Sequence, residues 1–387
     1  MIPYGQHCLD DEDIDAVVEV LKNGPITQGN KVDEYELAVA QYSGSEYGVA
    51  VSNGTAALHL AVKSLGIGPG DEVITTPLTF CATANVVVHA GADIKFVDVE
   101  EKSLNIDPAR IEEKITQRTK AIIPVDFRGH PAPLPEIKLI AERYNIQIIE
   151  DASHSIGSTY EDREKIFSCG DCAHVDLATF SFHPVKHITT GEGGVVLTNS
   201  SELAKKLVSL RAHGLNRTPD MFNEKKRIGP WIYDVDELGY NYRLTDIQAA
   251  LGLSQLKKIE KFKARRRQIV DYYNEELKGI DELILPFEKE NVDSNFHIYV
   301  LQIRANQRFD RYDFFLALQK NGYQPMVHYL PVHLLTFYRK TYGFKRGDYP
   351  IAEQYYDRAI TIPLYPMLSD ELITKIVSDI KRIVKTI

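Results

Sequence analysis

The stretch Thr179–Val195, TFSFHPVKHITTGEGGV, decides the fold because it joins two predicted strands through a loop that holds one lysine. The apolar run 175–182 predicts the first strand, and residues 195–197 predict the second. Lys186 lies between them, and glycines follow at positions 191, 193 and 194. A partly buried lysine can lose its proton and attack a carbonyl carbon, and glycines let the backbone approach a flat cofactor closely. Alone, the stretch fits an ordinary surface loop better, so its interpretation depends on the other motifs.

The composition is that of an acidic globular protein. The 387 residues are 44% hydrophobic and 26% charged, with a formal net charge of −9, and the isoelectric point is about 5.8. This length predicts two or three structural domains. An acidic chain without a basic cluster argues against nucleic-acid binding. No apolar run approaches the ~18 residues that a membrane span needs, and the N-terminus lacks the pattern of a signal peptide.

The four cysteines do not make a disulfide framework in a chain of this length, which predicts a reducing, cytoplasmic location. Cys169 and Cys172 form one CxxC pair. Such a pair is compatible with half of a zinc site or with a redox site, but no second CxxC completes a zinc site. We therefore interpret the pair as incidental thiols and predict no metal.

The pattern from residue 47 onward alternates apolar strands with helices. Strands without polar interruption predict a largely parallel sheet covered by helices on both faces, with functional loops at the carboxyl ends of the strands. The fold class is therefore α/β. We predict a large domain over 1–245, including the N-terminal segment, a long connecting helix over 246–280 and a smaller α+β domain over 281–387.

Two further loops at strand ends fit the needs of a phosphorylated ring cofactor. In SNGTAAL (52–58), a strand, a turn at Gly54 and a helix start place free N–H groups where a phosphate binds, with Thr55 as a further donor. In IIEDASHS (148–155), Asp151 follows an apolar strand and can pair with a protonated ring nitrogen. His154 lies three residues further along the sequence. The plain alternative for both loops is helix capping by Asn, Thr or Asp.

Two other side chains complete this constellation. Ser181, five residues before Lys186, is a candidate phosphate ligand. Phe80, in TTPLTFCATAN, is a candidate for stacking on the ring face. A core aromatic is the plain alternative for Phe80, and its assignment depends on the other loops.

These loops, in this order, resemble the fold-type I pyridoxal phosphate enzymes, and more closely the sugar-nucleotide aminotransferases of the DegT family. The stretches SNGTAALHLA, GPGDEVITTPLTFCATAN, TKAIIPV, IIEDASHSIGS, FSFHPVKHITTGEGG and LGYNYRLTDIQAALGLSQL carry the resemblance, which covers nearly the whole chain. It implies that Lys186 is the Schiff-base lysine, Asp151 contacts the ring nitrogen and His154 lies beside the ring. It also implies Gly54, Thr55, Ala56 and Ser181 at the phosphate. Asn241, or Arg243 close to it, is implied to reach the cofactor of a second subunit, so the expected active unit is a homodimer.

A finer resemblance concerns substrate. HPVKHITTGEGG, GPWIYDVDELGYNYRL and MVHYLPVHLLTFYR resemble the aminotransferases of pseudaminic acid synthesis. These are implied to aminate a UDP-linked 4-keto-6-deoxy-N-acetyl-L-hexosamine with L-glutamate as donor. The implied sugar-nucleotide contacts are Tyr4, Gly24, Pro25, Ile26, Thr27, Val327, His328, Tyr329 and Leu330. Two departures from the family pattern are His187, where proline is common, and His130, where glutamine is usual.

Other functions stay open at this point. The same scaffold serves aminotransferases for other nucleotide-linked 4-keto sugars, of the perosamine or bacillosamine type. A pyridoxal-dependent sugar dehydratase is disfavoured because those relatives carry histidine at the position of Lys186. A cofactor-binding sensor without catalysis is disfavoured by the presence of Lys186, Asp151 and His154 together. A nucleotide dehydrogenase is excluded because no GxGxxG follows the first strand.

Overall fold

The computed structural model describes residues 1–216, 231, 233–306 and 309–386. Its strands are β1 (Ile2–Pro3), β2 (Tyr47–Val51), β3 (Glu72–Thr75), β4 (Asp93–Phe96), β5 (Thr119–Ile123), β6 (Gln147–Asp151), β7 (Thr159–Asp162), β8 (Lys165–Ser168), β9 (Leu177–Ser181), β10 (Gly194–Thr198), β11 (Leu215–Asn216), β12 (Asp234–Val235), β13 (Leu283–Ile284), β14 (Val292–Asp293), β15 (Tyr299–Ile303), β16 (Tyr323–Gln324) and β17 (Ala359–Ile362). Its α-helices are α1 (Asp11–Asn23), α2 (Asn30–Ser43), α3 (Gly54–Ser64), α4 (Cys81–His89), α5 (Leu134–Tyr144), α6 (Ser201–Arg211), α7 (Asp246–Leu256), α8 (Ile259–Leu277), α9 (Arg311–Lys320), α10 (Thr336–Tyr342), α11 (Pro350–Arg358) and α12 (Asp370–Thr386).

A seven-stranded sheet forms the centre of the large unit, in the order β2-β10-β9-β6-β5-β3-β4. The strand β10 is antiparallel to both of its neighbours, and the other pairings are parallel. Side chains alternate between two buried layers: Ala121 and Ile123 face α3, α4 and α6, whereas Ile122 faces α5. The helices α2 and α7 cover the rest of that second face. The predicted sheet with two covered faces is confirmed.

A smaller three-stranded antiparallel sheet, β13-β15-β17, packs against α8, α9 and α12. The N-terminal strand β1 pairs in parallel with β16 of this C-terminal part, whereas the sequence grouped the N-terminal segment with the large domain. Tyr338 of α10 and Ala352 of α11 belong to the core on the α3 and α4 side of the large sheet. The two units therefore share buried surface instead of meeting only through one helix.

The predicted single helix over 246–280 is wrong, because the chain forms α7 and α8 with a break at Lys257 and Lys258. Ala249 of α7 packs under the large sheet, whereas Tyr273 of α8 packs in the core of the small unit. A straight helix cannot bury both apolar faces, so the direction changes at Lys258, whose amine contacts Asp10 and lies 3.0 Å from Asp13.

Two smaller features complete the description of the fold. Residues 108–115 contain two 3₁₀ turns, Pro108–Arg110 and Glu112–Lys114. The hairpin β7–β8 was not predicted because its turn uses Arg163 and Glu164 at positive φ, 48° and 64°, in place of the usual Asn-Gly signal. Among the described helices, none has the length and apolarity needed to cross a membrane.

Candidate active site

The site is a cavity of about 1100 Å³ at the carboxyl ends of the parallel strands, closed on one side by the segment before α10. A parallel sheet brings the ends of its strands to one edge, which is where ligands bind in such folds. Twelve of the residues predicted from sequence line this cavity: Tyr4, Gly54, Thr55, Ala56, Phe80, Asp151, His154, Ser181, Lys186, Val327, His328 and Tyr329.

The N-terminus of α3 forms one end of the cavity. Asn53 caps the helix by accepting a hydrogen bond from the Ala56 N–H at 2.8 Å. The first N–H groups of a helix have no partner within it and favour an anion. A Cβ atom on Gly54 would lie only 2.7 Å from the Ser181 Cβ, so only glycine lets the helix end approach β9 this closely. The helix end, Thr55 and Ser181 therefore line the same cavity, and their role toward a phosphate stays a prediction.

Asp151 lies at the end of β6 and is buried. Its Oδ2 accepts a hydrogen bond from the Thr83 hydroxyl at 2.7 Å, and its Oδ1 accepts one from the Ser153 N–H at 3.2 Å. These bonds fix the direction of the carboxylate at the cavity wall. Sequence analysis missed Thr83, because a threonine in the first turn of a helix gives no sign of which strand end it faces.

Lys186 lies in the loop after β9, where its N–H donates to the His183 carbonyl at 2.8 Å. Burial lowers the pKa of the Lys186 amine to about 8, although the nearby Asp151 carboxylate acts in the opposite direction. Relative to a lysine at 10.5, this raises the fraction of neutral amine near pH 7 roughly 300-fold. The structure thus gives Lys186 the property that a nucleophilic amine needs.

His154 lies beside Lys186 in a group of buried histidines. Its ring centroid lies 4.4 Å from that of His297, and its Nε2 is 3.3 Å from the Tyr329 hydroxyl. Its Nδ1 is buried and has no hydrogen-bond partner among the described residues. Burial holds the pKa of the His154 imidazole well below its usual range, with a smaller contribution from Lys186. His154 is therefore neutral and presents an apolar ring face.

The two histidines that depart from the family pattern do not line the cavity. His187 is buried behind it, with Nε2 at 3.1 Å from the Asn295 carbonyl. His130 is buried near β14, with Nδ1 at 3.0 Å from the Pro131 carbonyl, and burial lowers its pKa to about 4. Both therefore act on packing, and neither contacts the ligand cavity directly.

Aromatic side chains form the remaining walls. Phe80 is 55% exposed, and its ring centroid lies 5.9 Å from that of Tyr329. On the opposite side, Tyr240 and Tyr242 stack at 4.9 Å with an interplanar angle of 10°, and the Tyr242 hydroxyl lies 3.2 Å from His59 Nδ1. This second group was missed because Tyr242 and His59 are 183 positions apart in the sequence.

Seven predicted residues do not line the cavity: Gly24, Pro25, Ile26, Thr27, Asn241, Arg243 and Leu330. Six of them form one strip on the surface, because Thr27 pairs with Thr245 and Arg243 pairs with Val51. Asn241 and Ile26 are exposed on this strip. Leu330 is 38% exposed and lies just beyond the wall residue Tyr329.

The sequence matches the profile of the DegT/DnrJ/EryC1/StrS aminotransferase family over residues 7–381. The chain belongs to this family. It is therefore a sugar aminotransferase that depends on pyridoxal 5′-phosphate (PLP), as the sequence resemblance predicted.

Curated relatives extend over almost the whole chain. An uncharacterised protein of Methanocaldococcus jannaschii is 42% identical over 384 residues, covering 99% of this chain and 97% of its own. The spore coat polysaccharide biosynthesis protein SpsC of Bacillus subtilis is 39% identical, with coverage of 99% and 97%. The UDP-4-amino-4,6-dideoxy-N-acetyl-beta-L-altrosamine transaminase of Campylobacter jejuni is 38% identical, with coverage of 94% and 93%.

Solved structures share the fold. Helicobacter pylori PseC, an aminotransferase of pseudaminic acid biosynthesis, matches with a TM-score of 0.90 and 30% identity over 100% of both chains. Spr1654 of Streptococcus pneumoniae, in its PLP form, matches with a TM-score of 0.89 and 31% identity over 99% of this chain and 98% of its own. The fold-type I architecture predicted from the sequence is confirmed.

The residues of the cavity fit PLP. The Gly54–Ser181 contact leaves an anion site without a side chain in it. Asp151 offers a fixed carboxylate, and the unpartnered Nδ1 of His154 offers a buried polar atom that a ligand can satisfy. Lys186 offers an amine of lowered pKa at the same wall. The cavity thus offers one group for each part of the cofactor: the α3 end for the phosphate, Asp151 and His154 for the ring, and Lys186 for the carbonyl carbon.

The charge of the Asp151 carboxylate should raise the pKa of the Lys186 amine. In the cofactor-free protein, competitive labelling with an amine-reactive reagent between pH 6 and 10 should give a midpoint near pH 8 for Lys186. Asp151→Asn should move that midpoint to lower pH, since the carboxylate stabilises the protonated amine. The matched control Asp15→Asn, on the exposed face of α1, should leave the midpoint in place. An unchanged or raised midpoint in Asp151→Asn would contradict this coupling.

Proposed function

We propose that this protein transfers the amino group of L-glutamate to C4 of a UDP-linked 4-keto-6-deoxy-N-acetyl-L-hexosamine. The observation that carries the proposal is the convergence of Lys186, Asp151 and the α3 N-terminus on one cavity. The names of the Campylobacter jejuni and Helicobacter pylori relatives support the choice of sugar. The motif around Lys186 and the stretch MVHYLPVH support it as well.

Each cavity residue has a proposed role toward the cofactor. Bound PLP supplies an electron sink that stabilises negative charge on the carbon that loses or gains a proton. The α3 N-terminus, Thr55 and Ser181 bind its phosphate, and Asp151 holds the ring nitrogen protonated. His154 and Phe80 pack beside the ring and exclude water from it.

Lys186 has two proposed roles. Its neutral amine binds the cofactor covalently in the resting enzyme. Once glutamate has released it, Nζ takes a proton from the α-carbon of the donor and returns one to C4 of the sugar. An amine with a pKa of about 8 suits both directions of this transfer, because it gains and loses a proton with little cost near neutral pH.

The space left by the cofactor suits a large second substrate. A cavity of about 1100 Å³ exceeds the usual upper size of a single small-molecule site, ~1,000 Å³. Tyr4, Val327, His328 and Tyr329 line the same cavity and are the proposed sugar contacts. Tyr4 and His328 pack edge to face at 4.8 Å, so the two rings support each other in this wall.

A D-configured 4-keto sugar, of the perosamine or bacillosamine type, is the second candidate. The name of the Bacillus subtilis relative refers to spore coat polysaccharide and specifies no sugar, so it is compatible with this second candidate. A dehydratase remains disfavoured, because Lys186 is present and lies at the cavity wall.

The attachment of the cofactor can be tested directly. Borohydride treatment of the purified protein should fix the cofactor to the single peptide that contains Lys186. Lys186→Ala should bind the cofactor without forming a borohydride-stable product, since the remaining contacts are non-covalent. A stable product elsewhere in the Lys186→Ala chain, found by peptide mass mapping, would remove Lys186 from this role.

The acceptor can be identified by comparing kcat/KM for L- and D-configured UDP-4-keto-6-deoxy sugars under one set of conditions, with glutamate as donor. We expect the L-configured sugar to be preferred and its aminated product to be confirmed by mass and NMR. Preference for the D-configured sugar would overturn the choice of sugar and leave the aminotransferase assignment intact.

We further propose that the enzyme is a homodimer with shared active sites. The surface strip formed by Gly24, Pro25, Ile26, Thr27, Asn241 and Arg243 holds residues assigned to the site, yet in one chain none of these six lines the cavity. A second subunit that places this strip at the cavity of the first would bring Asn241 or Arg243 to the cofactor.

Complementation distinguishes a shared site from a separate one. Mixed Lys186→Ala and Asn241→Ala subunits should regain about one quarter of wild-type activity, because half of the dimers are mixed and each holds one intact site. Mixing Lys186→Ala with Asp151→Ala is the matched control and should regain none, since both residues belong to the same subunit's wall. Subunit exchange without recovery in the first mixture would contradict the shared site.

A further inference from the structure

A buried acidic cluster lies directly behind Asp151. It consists of Asp126, Glu150 and Cys169, each of which has one side-chain oxygen or sulfur atom within 4.8 Å of such an atom on the other two. Each of the three is at most 1% exposed. None of them lines the cofactor cavity, and none has a role in the function described above.

Among the described residues, one carboxyl oxygen of the cluster receives no hydrogen bond. Asp126 accepts from the Ala132 N–H at 2.7 Å and from the Ser155 hydroxyl at 2.5 Å. Glu150 Oε2 accepts from the Gly170 N–H at 3.0 Å. Glu150 Oε1 is buried and receives no bond from an N–H or O–H group of the described residues. A carboxylate oxygen in this position needs a proton or a cation.

Among the described residues, no positively charged group is found to act on either carboxyl group. The titratable groups that act on the two carboxyl groups are Asp171, Cys169, Cys172 and Tyr160, which are acidic or neutral. Two ionised carboxylates in contact, away from water, would repel each other strongly. We propose that Asp126 and Glu150 share one proton, so that the pair carries a single negative charge, and that this pair positions Asp151 and His154.

Geometry connects the pair to the site. The Asp126 N–H donates to the Asp151 carbonyl at 3.1 Å, and the Asp126 carboxyl accepts from Ser155, the residue after His154. Glu150 immediately precedes Asp151 on β6. The pair therefore holds both ends of the segment 150–155 that carries the ring-nitrogen carboxylate and the ring-packing histidine.

The proton belongs mainly to Glu150. Burial raises the pKa of the Glu150 carboxyl well above its ordinary value, and the neighbouring Asp126 adds to the effect. Burial also raises the pKa of Asp126, but the hydrogen bond from Glu150 acts in the opposite direction. Glu150 is thus the donor, as a neutral acid, and Asp126 is the acceptor. The buried thiols of Cys169 and Cys172 also stay protonated, since burial raises their pKa.

Infrared spectroscopy tests the shared proton without any assay of activity. At pH 8 the difference spectrum between wild type and Glu150→Gln should contain the carbonyl band of a protonated carboxylic acid. Glu161→Gln, an exposed position on β7, is the matched control and should give no such band. If Glu150→Gln does not fold, Asp126→Asn should also lose the band, because the new amide donates to an ionised Glu150. Persistence of the band in both variants, or its absence from wild type, would overturn the shared proton.

Unfolding gives a second readout with a definite sign. With Glu150 protonated when folded and ionised when unfolded, the folded state holds one more proton, so stability falls as pH rises. Between pH 6 and 8, with cofactor in constant excess, the wild-type unfolding constant should rise about tenfold more per pH unit than that of Glu150→Gln. Equal slopes would contradict the proposal and would say nothing against the aminotransferase assignment.

If the pair positions Asp151 and His154, a side chain of the same shape as Glu150 should preserve the site, whereas a smaller one should not. Glu150→Ala should shift the absorption spectrum of bound cofactor and its pH midpoint, because Asp151 and His154 lose their support. Glu150→Gln, whose amide can still donate to Asp126, should restore both toward wild type. Identical spectra for Glu150→Ala and Glu150→Gln would show that the pair does not position the site.

Discussion

The parallel pairing of β6 with β9 is the constraint on which the site depends. Asp151 pairs with Thr179, so β6 ends beside the last residues of β9. Ser181 then meets the N-terminus of α3, and the loop with Lys186 follows before β10 returns antiparallel. A shift of one residue in this register would turn Asp151 to the opposite face of the sheet. Ser181, Asp151 and Lys186 are therefore placed relative to one another by one set of backbone hydrogen bonds.

Burial then decides the protonation states. It lowers the pKa of Lys186 to about 8 and holds the pKa of His154 and His297 well below the usual range. It also raises the pKa of Glu150 behind the site. Removal of water thus favours the neutral form of each of these groups. Next to these groups, the Asp151 carboxyl accepts hydrogen bonds from the Thr83 hydroxyl and the Ser153 N–H.

The sequence was most informative for site residues whose position is set by the backbone, at the ends of predicted strands. Lys186, Asp151 and the Gly54 turn lie at strand ends, so strand prediction alone brought them to one edge. Thr83 and His297 could not be found in this way, because their roles depend on side-chain directions between distant segments. The division of the connecting helix into α7 and α8 could not be predicted either, because the apolar pattern continues through Lys257. The break exists because α7 packs against the large sheet and α8 packs in the core of the small unit.

The described residues of the cavity lining carry little positive charge. Among the described residues that line it, Lys186 is the only lysine or arginine, and Glu192 is acidic. A nucleotide diphosphate carries negative charge that one amine, already committed to the cofactor, cannot balance. The neighbouring His59 adds none, since burial lowers its pKa to about 4. A complete site therefore needs cations from outside this lining, and the strip with Arg243 offers one on the surface that the shared-site proposal places against a second subunit.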